Sequence, residues 1–243
     1  MSIPKKIHYC WFGGNPLPEL AQKCIDSWKK YLPDYEIIRW DESNFDFSIN
    51  DYVREAYENK KWAFITDYVR LYVLYNYGGI YMDTDVEVLK PFDELLTHKG
   101  FSGFEDKINI PTGIIASEKH NKWIKYLLDY YKDRHFIVDG KINYTTNVLI
   151  ITEMTKKKYG LKQNNTYQDL KDVVFYPNDY FCPKDHINGE IYLTDNTYCI
   201  HHFSGSWQSK GMKFREKVFR TIHKIFGRKV SDFMYKLYKK IVK

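Results

Sequence analysis

The stretch "YNYGGIYMDTDVEVLKPFD", residues 75–93, contains the pattern that decides the fold. Its diglycine, Gly78-Gly79, is followed at once by a short apolar run that is typical of a buried strand. That run ends in two carboxylates one residue apart, Asp83 and Asp85. Because burying unpaired carboxylates is costly, their charge has to be compensated by a cationic side chain, by water or by a bound metal ion.

The segments around this stretch predict an α/β fold. Residues 61–77 are apolar on most sides, which predicts a buried helix that the two glycines end. The preceding segments predict a strand and glycine turn at 5–14, a helix at 16–33, a strand at 35–42 and a helix near Tyr52. This alternation predicts a mostly parallel central sheet flanked by helices. In such sheets ligands bind beyond the carboxyl ends of the strands, where Trp11 and the two aspartates fall.

Composition limits the domain organisation and the cellular location. A chain of 243 residues with 44% hydrophobic residues can bury a real core as one domain. We expect that domain at residues 1–209 and a separate tail at 210–243. The four cysteines show no CxxC spacing, so they predict reduced thiols rather than a zinc site or a disulfide framework. No stretch reads as a signal peptide or a membrane-spanning helix, which predicts a cytoplasmic protein.

The tail, residues 210–243, is strongly basic. It carries twelve Lys and Arg against Glu216 and Asp232, whereas the net charge of the whole chain is +6. Its apolar residues recur at helical spacing, at Phe214, Val218, Phe219, Ile222, Ile225 and Phe226, and again at Phe233, Met234, Leu237, Tyr238 and Ile241. This pattern predicts a basic amphipathic helical tail on an anionic membrane surface, peripheral on the cytoplasmic face. A helix pair packed on the body is the alternative, and no recognised module predicts nucleic-acid binding.

Asp83 and Asp85 are the first candidates for metal ligands. Side chains two positions apart on an extended segment point the same way, so both carboxylates can converge on one hard divalent cation. Mg²⁺ or Mn²⁺ accepts a few protein oxygens and fills its other positions with phosphate oxygens and water. A solvated turn is the alternative that the spacing alone leaves open.

A second group of candidates follows from helix and strand positions. Asp67 and Arg70 lie three residues apart on one face of the predicted buried helix. They form either an internal ion pair or, with Thr66, a polar stripe that binds hydroxyl groups in a pocket. Trp11 is either a core residue or a strand-end aromatic face on which a flat base stacks.

The stretch "CIHHFSGSW", residues 199–207, contains a third group. Adjacent residues on a strand point to opposite faces, so at most one of His201 and His202 shares a site with the aspartates. An imidazole can complete an oxygen-rich metal site, and a satisfied core histidine is the alternative. Ser206 and Trp207 can be loop residues.

Three segments together resemble a known family: "IPKKIHYCWFGGNPLPE", "ITDYVRLYVLYNYGGIYMDTDVEVLKPFD" and "HHFSGSW". They are similar to the DXD-containing glycosyltransferases that include yeast initiating mannosyltransferases and bacterial capsular polysaccharide enzymes. The catalytic domains of the clostridial glucosylating toxins are more distant relatives. The second segment is specific, because it sets a D-x-x-R helix, a Gly-Gly turn and a Y-x-D-x-D strand in fixed order. The resemblance implies a GT-A catalytic domain at 1–209 and favours a metal over a solvated turn.

The resemblance also implies roles on the donor side of the site. Trp11 would stack on the nucleobase, and Thr66 would lie near the nucleoside. Asp67 and Arg70 would hold hydroxyl groups of the donor sugar. Tyr81 would line the same pocket.

On the metal side, the resemblance implies a divalent ion on the donor diphosphate. Asp85 would ligate the ion directly, and Asp83 would contact it through water or contact the ribose. His202, five residues before Trp207, would complete the metal ligands, with His201 as the other possibility. Ser206 and Trp207 would touch the diphosphate.

The implied activity is a metal-dependent, retaining transfer of a sugar from a nucleotide diphosphate sugar, with Mn²⁺ or Mg²⁺ and with UDP-sugar favoured. The basic tail predicts a lipid-linked glycan acceptor in surface or capsular polysaccharide synthesis. A metal-dependent nucleotidyltransferase or a sugar-nucleotide hydrolase could use the same aspartates. A non-catalytic membrane-associated scaffold would explain the tail alone.

Overall fold

The computed structural model of the chain describes residues 2–185 and 189–205, together with positions 211, 218, 221, 225–227 and 230. Most of the predicted helical tail therefore lies outside the described residues. Among the helices that are described, none combines the length and the apolar character needed to cross a bilayer.

The chain divides into two compact units. The larger unit consists of Met1–Pro183 and Leu193–His202, and the smaller one of Lys184–Tyr192 and Phe203–Lys243. The predicted boundary between residues 209 and 210 stays a prediction.

Within the described residues, the larger unit contains eleven strands and six α-helices. The strands are β1 (Lys6–Cys10), β2 (Glu36–Trp40), β3 (Gly79–Met82), β4 (Val86–Val88), β5 (Gly100–Gly103), β6 (Ile114–Ser117), β7 (Ile137–Val138), β8 (Lys141–Ile142), β9 (Gln168–Asp169), β10 (Val174–Tyr176) and β11 (Cys199–His201). The helices are α1 (Glu19–Tyr31), α2 (Asp51–Glu58), α3 (Trp62–Tyr77), α4 (Lys122–Leu128), α5 (Asn147–Tyr159) and α6 (Asn178–Phe181).

In the described part of the chain, seven strands form a central sheet in the order β2-β1-β3-β6-β5-β10-β9. The pairs β1–β2, β1–β3 and β5–β10 are parallel. Both pairs of β6 and the pair β9–β10 are antiparallel. Strands β2, β1, β3, β5 and β10 therefore share one direction, and β6 and β9 oppose it. The predicted α/β class with a mostly parallel central sheet is confirmed.

Two glycines let α3 end directly beside the sheet, as the sequence predicts. Gly78 adopts a φ of +65°, and its N–H donates to the Leu74 carbonyl at 2.9 Å. Gly79 has a φ of +110°, and a Cβ there would come within 2.7 Å of the Lys6 carbonyl oxygen. Only glycine allows the backbones of β1 and β3 to approach this closely.

A small second sheet joins the end of the larger unit to the aspartate-containing turn. β11 pairs antiparallel with β4, with His201 opposite Val86 and Cys199 opposite Val88. The His202 N–H then donates to the Asp85 carbonyl at 2.9 Å. Residues more than a hundred positions apart in sequence are thus neighbours at the carboxyl end of β3.

Candidate active site

Asp83, Thr84 and Asp85 lie between β3 and β4, directly after the buried β3. The Asp83 N–H donates to the Gly113 carbonyl at 2.8 Å, and the Val86 N–H donates to the Asp83 carbonyl at 3.0 Å. These two bonds fix the backbone on either side of the aspartates. The side chains are 28% exposed at Asp83 and 13% at Asp85, so both carboxylates are largely buried but partly accessible.

His201 brings an imidazole to the two aspartates. Its Nε2 lies 3.4 Å from Asp85 Oδ1. One ligand atom each from Asp83, Asp85 and His201 lie within 4.8 Å of one another. Two carboxylate oxygens and one imidazole nitrogen are suitable ligands for a divalent ion such as Mn²⁺. This donor set therefore fits the metal that the resemblance implies.

His202 has a different environment from the one that the sequence predicts. Its Nε2 lies 2.8 Å from Glu87 Oε2, and Lys23 Nζ lies 3.1 Å from the other oxygen of Glu87. The imidazole is therefore hydrogen-bonded to Glu87 beside β4. The structure brings His201, the other possibility in the sequence, to the aspartates, and His201 is therefore the third ligand that we propose.

His201 lies in a strongly negative environment. Burial disfavours its charged form, but Asp85, Asp83 and Glu105 outweigh burial and raise the pKa of the imidazole. Burial also raises the pKa of Glu105 to about 7, against an opposing effect of His201. Asp83 and Asp85, together with a Glu105 that is partly ionised near neutral pH, create a negative potential at the imidazole that attracts a cation.

Arg70 links helix α3 to the aspartate-containing turn. Its side chain is only 5% exposed, and its Nη2 donates to Asp67 Oδ1 at 3.1 Å. Its Nη1 donates to the Thr112 carbonyl and lies 3.5 Å from Asp83 Oδ1. The internal ion pair that the sequence left as one alternative is therefore present, and the binding of hydroxyl groups by this stripe stays a prediction.

Asp67, the hydrogen-bond partner of Arg70 on α3, has a pKa close to neutral pH. Burial raises its pKa to about 7, the Arg70 guanidinium limits the shift, and Asp83 adds to it. Asn147, the first residue of α5, donates from Nδ2 to the Asp67 carbonyl at 3.3 Å. Tyr131 donates to Asn147 Oδ1 at 3.2 Å. A carboxyl with such a pKa can accept a hydrogen bond from a hydroxyl group or donate one to it.

Tyr81 joins the donor and metal sides of the candidate site. Its hydroxyl donates to Asp83 Oδ1 at 2.8 Å, and the Arg70 guanidinium lies 4.8 Å from the centre of its ring. Burial and Asp83 raise the pKa of the phenol far above its ordinary value. Tyr81 is therefore a neutral hydrogen-bond donor that orients the Asp83 carboxylate.

Trp11 and Thr66 have local partners. Trp11 follows β1 directly, and its Nε1 donates to the Asn15 carbonyl at 2.6 Å. Thr66 Oγ1 donates to the Trp62 carbonyl at 3.0 Å, within its own helix. Their contacts with a nucleoside stay predictions.

Ser206 and Trp207 lie outside the described residues, so their predicted contacts with the diphosphate stay predictions.

The sequence patterns did not single out Thr112, Gly113 or Glu105, which surround the aspartates and His201 in the structure. A signal for Gly113 was present, because it directly precedes the apolar run Ile114-Ile115-Ala116 and a glycine in such a strand-like segment indicates close approach of another group.

The sequence of this region matches a described family. Residues 18–102 match the profile of the "glycosyltransferase sugar-binding region containing DXD motif". This segment includes Asp67, Arg70, Tyr81, Asp83 and Asp85. The match confirms the resemblance to DXD-containing glycosyltransferases.

Yeast proteins are similar over a larger share of the chain. "Mannosyl phosphorylinositol ceramide synthase SUR1" of Saccharomyces cerevisiae is 28% identical over 191 residues, which cover 73% of this chain and 49% of that protein. "Inositol phosphoceramide mannosyltransferase 3" of Schizosaccharomyces pombe is 41% identical over 103 residues, 39% of this chain and 28% of that protein. The chain thus spans about half the length of these curated relatives or less.

Solved glycosyltransferase structures show a weaker likeness. "PaToxG Glycosyltransferase" aligns with a TM-score of 0.49 and 21% identity, over 65% of this chain and 70% of that chain. The galactosyltransferase LgtC, solved in complex with donor and acceptor sugar analogues, aligns with a TM-score of 0.41 and 14% identity, over 89% and 94% of the two chains.

Proposed function

We propose that the chain is a metal-dependent, retaining glycosyltransferase of the GT-A fold that moves a sugar from a nucleotide diphosphate sugar to a glycan acceptor. The observation that carries the proposal is the convergence of Asp83, Asp85 and His201 beside the Asp67–Arg70 pair, with Arg70 only 3.5 Å from Asp83. The family match to residues 18–102 supports it independently of geometry.

Asp83, Asp85 and His201 would hold Mn²⁺ or Mg²⁺. When bound, such an ion stabilises the negative charge that develops on a departing diphosphate. The imidazole nitrogen favours Mn²⁺, because Mg²⁺ prefers oxygen ligands. Tyr81 contributes by orienting Asp83 through its hydrogen bond of 2.8 Å.

Arg70 and Asp67 are the proposed ligands for the donor sugar. The guanidinium donates to the carbonyls of Thr66 and Thr112 and to the Asp67 carboxylate. Because arginine has five N–H donors in a fixed plane, other N–H groups remain for a sugar hydroxyl. The buried bonds fix the guanidinium in advance, so little side-chain entropy is lost when a sugar binds.

The remaining donor contacts rest on the resemblance. Trp11 would stack on the base, Thr66 would lie near the nucleoside, and Ser206 and Trp207 would donate to the diphosphate. We favour a UDP-sugar, and a GDP-sugar would stack on the same tryptophan.

We propose retention of configuration at the anomeric carbon. The acceptor oxygen would form its bond to C1 on the face from which the C1–O bond to the diphosphate breaks. The acceptor hydroxyl would give its proton to the departing phosphate oxygen. This mechanism rests on family analogy, and NMR of the new linkage tests it, because an inverted anomeric centre would contradict it.

The proposed acceptor is a lipid-linked glycan at the cytoplasmic face of a membrane, in surface or capsular polysaccharide synthesis. The names of the two yeast relatives refer to inositol phosphoceramide or its mannosylated product, which supports a lipid acceptor. The smaller unit also exposes large apolar side chains at its described positions. These are Val218, Ile225, Phe226 and Val230, with exposures of 40%, 66%, 62% and 42%. Such residues between basic ones are suited to a membrane surface.

Thermal unfolding with a panel of nucleotide diphosphates and sugar nucleotides, with and without Mn²⁺, tests the proposal. Ligands that bind the folded state raise the melting temperature. We expect a rise with UDP or GDP compounds that requires Mn²⁺ and is lost in Asp85→Ala. Asp26→Asn, which removes an exposed carboxylate of α1 paired with Lys29, should behave as wild type. No rise at millimolar ligand, or a rise that Asp85→Ala retains, would contradict the proposal.

A further inference from the structure

Gly113 lies opposite Asp83, one position beyond the last paired residues of β3 and β6. β3 and β6 pair antiparallel with Met82 opposite Ile114, and the Asp83 N–H donates to the Gly113 carbonyl at 2.8 Å. Residues opposite each other in an antiparallel pair project their side chains to the same face. A side chain at position 113 would therefore project to the face that the Asp83 carboxylate occupies.

The imidazole of His201 fills the space where that side chain would be. A Cβ built on Gly113 would lie 2.6 Å from Cε1 of His201, 2.9 Å from Nδ1 and 2.9 Å from Nε2. These three atoms form the ring edge that carries both nitrogens. Nε2 is also the atom that lies 3.4 Å from Asp85 Oδ1. The missing side chain therefore leaves room for the part of the ring that would bind a metal.

Conformational freedom does not explain this glycine. Gly113 does not adopt a positive φ, so its backbone is accessible to alanine. The obstacle to alanine is the ring alone. A ring on two rotatable side-chain bonds moves more easily than a paired backbone, so an alanine should displace His201 while the sheet stays intact.

The same dipeptide contacts the donor side of the site. The Thr112 carbonyl accepts from Arg70, and the Gly113 carbonyl accepts from Asp83. Position 113 is thus held from two directions and cannot easily shift to accommodate a methyl group. Because the backbone at position 113 is fixed in this way, any side chain there would displace the His201 ring.

We infer that Gly113 is a positioning residue that sets the His201 imidazole at the distance from Asp83 and Asp85 at which the three can share one divalent ion. The inference rests on the metal site of the proposed function. It concerns metal affinity and not the identity of the sugar donor or acceptor.

Gly113→Ala tests the inference through Mn²⁺ binding, measured by electron paramagnetic resonance on the full chain without nucleotide. We expect Mn²⁺ affinity to fall by about tenfold or more, as for residues that orient metal ligands. Circular dichroism should show the folded protein. Unchanged affinity in the folded variant would overturn the inference, and so would a wild-type protein that binds no Mn²⁺.

Gly160→Ala is the matched control for a general loss of stability. Gly160 ends α5 with a φ of +73° and has nothing within 4 Å of a built Cβ, so alanine there strains only the backbone. We expect a lower melting temperature and unchanged Mn²⁺ affinity. An equal loss of Mn²⁺ affinity in Gly160→Ala would overturn the inference, because destabilisation would then explain the effect.

A double variant tests whether His201 carries the effect. Gly113→Ala should lower the melting temperature in the wild-type background and have a smaller effect in His201→Ala, where the ring is gone. Equal effects in both backgrounds would overturn the inference. If Mn²⁺ binding follows these expectations but no nucleotide diphosphate binds, the inference stands and the proposed function fails. If nucleotide diphosphates bind with Mn²⁺ but Gly113→Ala leaves Mn²⁺ affinity unchanged, the proposed function stands and the inference fails.

Discussion

Asp83 is the residue at which the parts of the candidate site meet. Its carboxylate accepts a hydrogen bond from Tyr81 and lies near Arg70, and its backbone is bonded to Gly113. Sequence patterns could predict Asp83 and its neighbours on α3 and β3, because the spacing of helix and strand positions fixes which side chains share a face.

Tyr81→Phe should loosen Asp83 without removing a ligand. The phenyl ring keeps the packing under Arg70, whereas the donor to the carboxylate is lost. We expect Mn²⁺ affinity to fall by roughly tenfold and stability to fall by about 1.5–3 kcal/mol, the contribution of a hydrogen bond to a charged group. Calorimetric titration and urea unfolding measure the two effects. Unchanged Mn²⁺ affinity would contradict the role of Tyr81 in orienting Asp83.

Asp67 should give the unliganded protein a pH-dependent stability. Its folded pKa of about 7 exceeds the ordinary value, so the folded state binds the proton more tightly. The stabilisation that the Asp67 proton provides is complete below the pKa of Asp67 in the unfolded state. It is lost as the pH rises through 7. Between pH 5 and pH 8 we expect a loss on the order of 2 kcal/mol that Asp67→Asn removes.

Urea unfolding at several pH values gives the free energy of unfolding as a function of pH. The effect of Asp67 is the difference in the slope of this dependence between wild type and Asp67→Asn. His201, whose pKa is also raised, titrates in the same direction in both proteins. Equal slopes would contradict the assignment of the titration to Asp67.

At the scale of elements, the pairing of β4 with β11 decides which histidine reaches the aspartates. Local sequence could not decide this, because the two histidines are adjacent and the register of a long-range pair is set by tertiary packing. The register places His201 opposite Val86. The partner of His202 is Glu87.

His201→Ala and His202→Ala therefore form a matched pair. We expect His201→Ala to lose Mn²⁺ binding and His202→Ala to retain it within a few-fold. His202→Ala should lower stability by about 1 kcal/mol, because a partly buried hydrogen bond to Glu87 is lost. Loss of Mn²⁺ binding in His202→Ala alone would support the prediction from sequence and contradict the assignment to His201.

At the scale of the whole molecule, the sequence predicted the α/β class and the order of the early strands and helices. It could not predict that β6 enters the sheet antiparallel between β3 and β5, because strand order depends on contacts far apart in the chain. The position of Gly113 beside His201 depends on this insertion. The boundary and the helical form of the tail stay predictions.

The tail should determine membrane binding. Replacing Lys236, Lys239 and Lys240 by Gln should weaken sedimentation with anionic vesicles, at about 1 kcal/mol for each basic residue near the surface. The matched control replaces Lys156, Lys157 and Lys158, three exposed lysines of α5, and should leave vesicle binding unchanged. Equal binding by both triple variants would contradict an anchor in residues 210–243.

The most direct test of the central claim is to identify the bond of a sugar nucleotide that the protein breaks. Incubation with UDP- and GDP-sugars, Mn²⁺ and a glycan acceptor, followed by ³¹P NMR, distinguishes the two possible cleavages. A glycosyltransferase releases the nucleoside diphosphate, and we expect this product from wild type and none from Asp85→Ala. Release of a nucleoside monophosphate and a sugar phosphate would mean that the protein cleaves the diphosphate instead, and would contradict the account.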